Sequence, residues 1–210
     1  MDDDKPKQMK TGTTTVGAIA DGAVVLGADR KATMGYLVSS KRMPKILQID
    51  SRMAITTAGM VGDAQAIVRY IKAELRLYSM NEGVKPTIKS AASLLSNILY
   101  SRRFYPYMVQ LVVGGFDSKP RLYSLDAAGG LTDEKEYFST GSGSVMAFGV
   151  LEDSFKPGMP VDDVKRLVAR AVRAATKRDI ASGGDGIDIV VITPGGYKTL
   201  SDEEVSKLLA

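Results

Sequence analysis

Cysteine and histidine are both absent from the 210 residues. Without cysteine there is no disulfide, no thiolate metal site and no thiol nucleophile. Without histidine the Ser–His–Asp triad, the Cys–His pair and the HExxH zinc site fall together. A hydrolase built from this chain takes its general base from a carboxylate, a lysine or an α-amine. No run approaches the ~18 apolar residues of a membrane span. The opening MDDDKPKQMK is polar and lacks the apolar stretch of a secretory signal. The expected location is the cytoplasm, with no membrane partner.

Phosphate-binding fingerprints are missing as well. GSGSVM (141–146) has the first two glycines of a dinucleotide loop, but Met146 stands where the third is needed. No GxxxxGK[ST] occurs. TTAGMVGDAQ (56–65) has a strand–glycine–helix shape that can hold an anion, although tight turns are the commoner use of such glycines. The 24 acidic residues show no pair at a spacing that marks a glycosidase cleft. No cofactor and no metal are expected.

What is present fits one soluble domain. Hydrophobic residues make up 44% of the chain, enough for a sizeable core. The net charge is +4, but Lys and Arg are spread over the polar faces of apparent helices. Only YSRRFYPY (100–107) interleaves basic and aromatic residues. Its place between a helix and a strand reads as a packed turn, so no nucleic-acid partner is expected.

The hydrophobic period predicts the elements. Thr13 to Ala20 reads as a strand, Asp21-Gly22 as a hairpin turn and AVVLGAD as the partner strand. GYLVSS (35–40), KILQID (45–50) and MAITTAG (53–59) continue a largely antiparallel meander. Helical spacing follows over 62–78, with a stop at 81–83, and a second helix starts near Pro86. Strands return at 107–116 and 121–128, and a short strand or turn leads to STGSGS (139–144). Helices are expected over 145–151 and 161–178, and strands over 187–194 and 197–200. Ser201 and Glu204 form a capping box that opens a last helix. Clustered strands and clustered helices indicate an α+β fold.

The residues most open to chemistry are KTGTTTVGAIA (10–20). A threonine hydroxyl needs a base. If the chain is cut between Gly12 and Thr13, Thr13 carries both groups: its Oγ as nucleophile and its own α-amine, whose reference pKa is about 7.7–8.0. Gly12, without a side chain, lets the backbone bend while its carbonyl is attacked. On GTTT alone, three strand-forming threonines are the commoner case.

The rest of the chain changes that balance. TTTVG (13–17), ADRKAT (28–33), KILQID (45–50), TTAGMVGDAQ (56–65), GSGS (141–144) and RDIASGGDGID (178–188) occur in this order. Together they resemble the β subunits of the archaeal-type 20S proteasome, from Thr13 to the C-terminal helix. GMVGDAQ and RDIASGGDGID favour that family over the bacterial two-ring ATP-dependent peptidase, which also begins with threonines.

The resemblance implies a four-layer αββα sandwich of the N-terminal nucleophile hydrolase type. Residues 1–12 are then a propeptide removed by autocatalytic cleavage at Gly12–Thr13, and 13–210 a single catalytic domain. It implies a threonine endopeptidase with Thr13 as nucleophile and Lys45 as the active-site lysine, whose charge disfavours a protonated amine beside it. Asp29 pairs with that lysine. Ser142, Asp179 and Ser182 surround the amine, and Gly59 offers a backbone N–H to the oxyanion. One extra residue between TTAG and GSGS leaves Ser144 as the alternative to Ser142. Ala32, Thr33, Met43, Leu47, Thr57 and Val61 match the substrate pocket. Having no charge among them, they imply cleavage after apolar residues. The implied assembly is two stacked homo-heptameric β rings between outer rings of α subunits, with a regulatory ATPase ring supplying unfolded proteins.

Overall fold

The computed structural model describes residues 12–210, so the expected propeptide, apart from Gly12, lies outside the described residues. The first strands are β1 (Thr15–Ala20), β2 (Ala23–Asp29), β3 (Ala32–Met34), β4 (Leu37–Ser40), β5 (Ile46–Gln48) and β6 (Met53–Gly59). Helices α1 (Val61–Glu82) and α2 (Ile88–Ser101) follow. Four more strands come next: β7 (Val109–Phe116), β8 (Pro120–Leu125), β9 (Leu131–Glu134) and β10 (Tyr137–Thr140). The chain closes with α3 (Ser144–Ser154), α4 (Val161–Thr176), β11 (Ile187–Thr193), β12 (Gly196–Thr199) and α5 (Asp202–Leu209). This is an α+β order.

One sheet runs β10-β1-β2-β11-β12 and the other β5-β6-β7-β8-β9, with every pairing antiparallel. The meander expected over the first 59 residues is therefore divided. Its first hairpin lies in one sheet and β5–β6 in the other. Between them β3 and β4 form a separate hairpin turning at Gly35, where φ is +61°. Its tip exposes Met34, Tyr36 and Leu37, so these apolar side chains are packed into neither sheet. The stretch before STGSGS likewise resolves into two strands, β9 and β10, which pair in different sheets. The 100–107 segment is not a packed turn: Phe104 and Tyr105 are exposed, and the Arg103 guanidinium lies 4.4 Å and 4.5 Å from the Tyr100 and Phe104 ring centres.

Strand alternation explains where the core sits. Every residue of β2 is buried. Ala23 and Val25 turn outward onto Val164, Leu167, Val168 and Val172 of α4. Val24, Leu26 and Ala28 turn inward, onto Ala54, Val112 and Leu122 of the other sheet. The outer face of that second sheet packs Ile55, Leu111 and Val113 against Ile67, Ile71, Leu95 and Leu99 of α1 and α2. Glycines let the sheets approach: a Cβ on Gly17 would lie 2.7 Å from Leu122 Cδ1, and one on Gly114 2.9 Å from Leu26 Cδ2.

Helix ends follow local chemistry. α1 stops at Gly83, in the left-handed region at φ +70°, whose N–H donates to the Ser79 carbonyl. Thr87 caps α2 by accepting from Ser90 N, and Ser201 and Glu204 close the expected capping box on α5.

Leu26 is fully buried between the sheets. Leu26→Ala leaves a cavity there and lowers stability by about 2–5 kcal/mol in urea unfolding of the isolated chain. A loss below about 1 kcal/mol would mean that the inter-sheet layer collapses around the gap.

Candidate active site

Strand and helix ends converge on the residue before β1. Thr13 and Thr14 directly precede that strand, Asp29 ends β2, Lys45 precedes β5, and Gly59 ends β6. The Gly141–Gly143 turn follows β10, and residues 179–183 follow α4. The fit around Thr13 is tight. Gly141 has φ +91°, and a Cβ there would lie 2.1 Å from the Thr13 carbonyl oxygen, which accepts from Gly143 N at 3.3 Å.

Asp29 and Lys45 form a buried ion pair. Lys45 Nζ donates to Asp29 Oδ1 at 2.7 Å, with side-chain exposures of 5% and 0%. Asp29 also receives three backbone N–H groups: Thr14 on Oδ1 (2.8 Å), and Gly183 (2.8 Å) and Lys31 (3.2 Å) on Oδ2. One carboxylate thus ties β1, the segment before β5 and the 179–183 loop together. Burial pushes the Lys45 ammonium below its ordinary value, and attraction to Asp29 opposes that shift without cancelling it.

Thr13 lies between this pair and a second group of side chains. Its Oγ1 donates to the Gly12 carbonyl oxygen at 2.6 Å. Lys45 Nζ lies 3.5 Å from the same oxygen, at the outer limit of a hydrogen bond. Thr13 N donates to Ser142 Oγ at 3.2 Å. Ser142 Oγ and Ser182 Oγ each lie 2.5 Å from Asp179 Oδ2. The structure brings Thr13, Asp29, Lys45, Ser142, Asp179 and Ser182 into one cluster. Of the two candidate serines, Ser142 touches Thr13. Ser144 begins α3 and lines a different cavity with Gln110, Ser124 and Thr140.

A cavity of about 70 Å³ opens beside Thr13. Ala32, Thr33, Met43, Leu47, Thr57 and Val61 all line it, together with Gly12, Lys45 and Gly59. Lys45 is the charged residue of that lining, and its ammonium is engaged by Asp29. Thr33 Oγ1 accepts from Gly12 N at 3.3 Å, so the residue before the junction already occupies the cleft. Thr57 N donates to the Lys45 carbonyl. Strand alternation aims the N–H of Gly59, two residues on, to the same side, past the start of β5 and toward the cavity. Gly59 has φ +125°, and a Cβ on it would lie 2.0 Å from the Met108 carbonyl oxygen, so only glycine fits.

Some lining and linking residues were given no role from the sequence: Pro44, Ala64 and Gln65 in the cavity wall, and Lys31 and Thr14 behind it. Pro44 adjoins the marked lysine, and Ala64 and Gln65 lie one helical turn after Val61. That periodicity was the available signal. Gly12 is held as closely: a Cβ there would lie 1.6 Å from Ala181 Cβ. Among the described residues no cluster of side chains is suited to a metal ion.

The sequence that builds these two sheets and the site at their shared end matches a known family. The family model described as "Proteasome subunit" matches residues 9–192. A proteasome subunit beta of Methanothrix thermoacetophila is 52% identical over 199 residues, 94% of this chain and 96% of its own. Those of Archaeoglobus fulgidus and Methanocaldococcus vulcanius are 50% and 48% identical, over 95% and 94% of this chain and 93% and 89% of theirs. The chain belongs to the proteasome subunit family, among subunits of the archaeal β type.

Lys45 titrates below the ordinary 10.5 of a lysine when followed by NMR of a labelled side chain. The unfolded chain then holds that proton more readily than the folded one, so stability rises with pH between the lowered value and 10.5. Asp29→Asn removes the attraction that opposes burial and lowers the titration further. A rise in the variant would show that Asp29 does not help Lys45 hold its proton.

Proposed function

We propose that this chain is a catalytic peptidase subunit of the proteasome core, a threonine endopeptidase whose nucleophile is released by self-cleavage at Gly12–Thr13. The observation that carries the reading is the Thr13 hydroxyl held 2.6 Å from the Gly12 carbonyl oxygen, with the Lys45 ammonium beside the same carbonyl.

In the precursor, Thr13 N is an amide and cannot act as a base. The chemistry left to the site is attack of Thr13 Oγ on the Gly12 carbonyl carbon. The Oγ–C bond forms, the C–N bond breaks, and the hydroxyl proton ends on the departing nitrogen. The ester between Gly12 and Thr13 is then hydrolysed by water, freeing residues 1–12 with a terminal carboxylate. The positive charge of Lys45 stabilises the oxyanion on the Gly12 oxygen.

Cleavage converts Thr13 N into an amine, and the same geometry then serves substrates. A peptide carbonyl takes the place of the Gly12 carbonyl. Thr13 Oγ attacks it, the amine accepts the hydroxyl proton and passes it to the leaving nitrogen, and water hydrolyses the acyl ester. Lys45 keeps the amine from holding a proton too tightly. The proton of Ser142 is directed at Asp179, so its oxygen accepts from the amine and orients it. The Gly59 N–H is the oxyanion donor, and losing such a donor costs about 10²–10³ in rate.

Three core layers, one between the sheets and one under each set of helices, support the four-layer αββα sandwich of N-terminal nucleophile hydrolases. The names of the relatives support assembly with other proteasome subunits. The full reading is two seven-membered β rings between α rings, fed by an ATPase ring, in the cytoplasm. Among the described residues no helix is long and apolar enough to cross a membrane. The apolar wall of the cavity supports cleavage after apolar residues.

Thr13→Ala, assembled with the α partner, retains residues 1–12 and loses peptide hydrolysis, whereas Thr13→Ser retains both steps. Hydrolysis surviving in the alanine variant would overturn the reading. In the wild type, reporter peptides ending in leucine, tyrosine or phenylalanine turn over faster than those ending in arginine or glutamate. A preference for the basic series would contradict the pocket assignment. Gly12→Ala moves the attacked carbonyl away from Ala181 and slows removal of residues 1–12 by tenfold or more, since about 1 Å of misplacement costs ~10² in rate. An unchanged rate would mean that Ala181 yields.

A further inference from the structure

Thr14 is fully buried, and its hydroxyl is used by neither step above. Thr14 Oγ1 lies 2.7 Å from Ser182 Oγ. The glycine facing it is required for that contact: a Cβ on Gly143 would lie 2.0 Å from Thr14 Oγ1 and 3.2 Å from Ser182 Oγ. The backbone N–H of Thr14 is held by Asp29. Thr14 therefore joins the Asp29–Lys45 side of the site to the Ser182–Asp179–Ser142 side.

The directions of the protons follow from what each group can do. Asp179 Oδ2, as a carboxylate oxygen, accepts. Ser182 is 2.5 Å from it and has one hydroxyl proton, which goes there. The Ser182 oxygen then has only its lone pairs left for Thr14, so Thr14 donates. On the other branch, Ser142 has its Oγ 2.5 Å from the same Oδ2, against 3.4 Å to the Thr13 carbonyl oxygen, so its proton also goes to Asp179. The Ser142 oxygen is left to accept from Thr13 N. The series begins at the Thr14 hydroxyl and ends at the nitrogen of the neighbouring residue.

We propose that Thr14 is a positioning residue of this site: by donating to Ser182 it holds the Ser182–Asp179–Ser142 series in the arrangement that presents an acceptor to the Thr13 nitrogen. The inference rests on the reading of Thr13 as the nucleophile. Donation by Thr14 polarises the Ser182 hydroxyl and strengthens its bond to Asp179, as in any hydrogen-bonded chain. Without it, Asp179 draws harder on the Ser142 proton. The Ser142 oxygen becomes a stronger acceptor and grips a protonated amine more tightly, so the amine frees its lone pair only at higher pH. The charged groups around Thr13 are Lys45 and Asp29 on one side and Asp179 on the other. Lys31 stands behind the 180–182 loop, its Nζ donating to the Ile180 and Ser182 carbonyls at 2.6 Å and 3.3 Å. Thr14→Val leaves all of these charges in place.

The test uses the chain assembled with its α partner. Thr14→Val, which keeps the β-branch, and Thr14→Ser, which keeps the donor, are compared with wild type for loss of residues 1–12, for kcat and KM on an apolar reporter peptide, and for the acid limb of kcat. In Thr14→Val the expected results are a KM within about twofold, a kcat lower by about tenfold and an acid limb displaced to higher pH. Thr14→Ser restores the wild-type profile. In a Ser182→Ala background, Thr14→Val adds nothing further. If Thr14→Val does not assemble, Thr14→Cys takes its place: its thiol is a weak donor of similar bulk to serine, and it shifts the limb in the same direction. A wild-type kcat and limb in a processed valine or cysteine variant, or effects that add to those of Ser182→Ala, would overturn the proposal while leaving Thr13 as the nucleophile. A wild-type particle that is never processed and hydrolyses nothing sinks both.

Discussion

Everything at the candidate site hangs on one buried carboxylate. Asp29 is fully enclosed and holds Lys45 Nζ together with the backbone N–H groups of Thr14, Lys31 and Gly183. An ionised group in such a place is tolerable only when its partners satisfy it, and removing one partner of a buried pair costs about 3–5 kcal/mol. The four donors come from the residue before β1, the link between β2 and β3, the segment before β5 and the loop after α4. Their common acceptor sets the distance between a threonine and a lysine that belong to different sheets. Burial and charge are thus arranged together: the lysine stays beside the Gly12 carbonyl because Asp29 holds it there, and its proton is loosened because both groups are shut away from water.

The three consecutive threonines have three different environments, which strand propensity alone does not explain. Thr13 points its hydroxyl at the preceding carbonyl. Thr14 points the other way, into the Ser182–Asp179 group. Thr15 turns inward again and bonds both Thr56 of the second sheet and Thr140 of β10, at 2.9 Å and 2.6 Å. The alternation is that of an ordinary strand. A hydroxyl at each position gives a polar pin between the sheets, a link to the carboxylate behind the site and a group free for chemistry, in successive residues. The glycines at 141 and 143 are the counterpart, leaving the space that Thr13 and Thr14 fill.

Much of this was legible in the sequence because it rests on local signals. The Asp21-Gly22 turn, the helical stripe of α4 and the Ser201–Glu204 box depend on neighbours in the chain, and each lies where its pattern puts it. The division of the opening strands between two sheets was not legible, since β2 and β6 both read as apolar runs and nothing local says which partner each takes. The hairpin at 32–40 was half missed, because β3 is three residues long and its turn exposes aromatic and aliphatic side chains. At the site, the marked residues were found by ordered resemblance and not by spacing. Thr14, Lys31, Ala64 and Gln65 lie inside the quoted motifs but were given no role by them, Pro44 lies just outside, and their places follow from packing across long sequence separations, 168 residues for Thr14 and Ser182.

The central claim is that the Gly12–Thr13 bond is built to be broken by its own threonine. The intact mass of the wild-type chain, taken from particles assembled with the α partner, tests it most directly. The account predicts a mass lacking residues 1–12 and an N-terminus at Thr13. A full-length chain in a completely assembled particle would contradict it, leaving the junction inert and the chain a structural member of its ring.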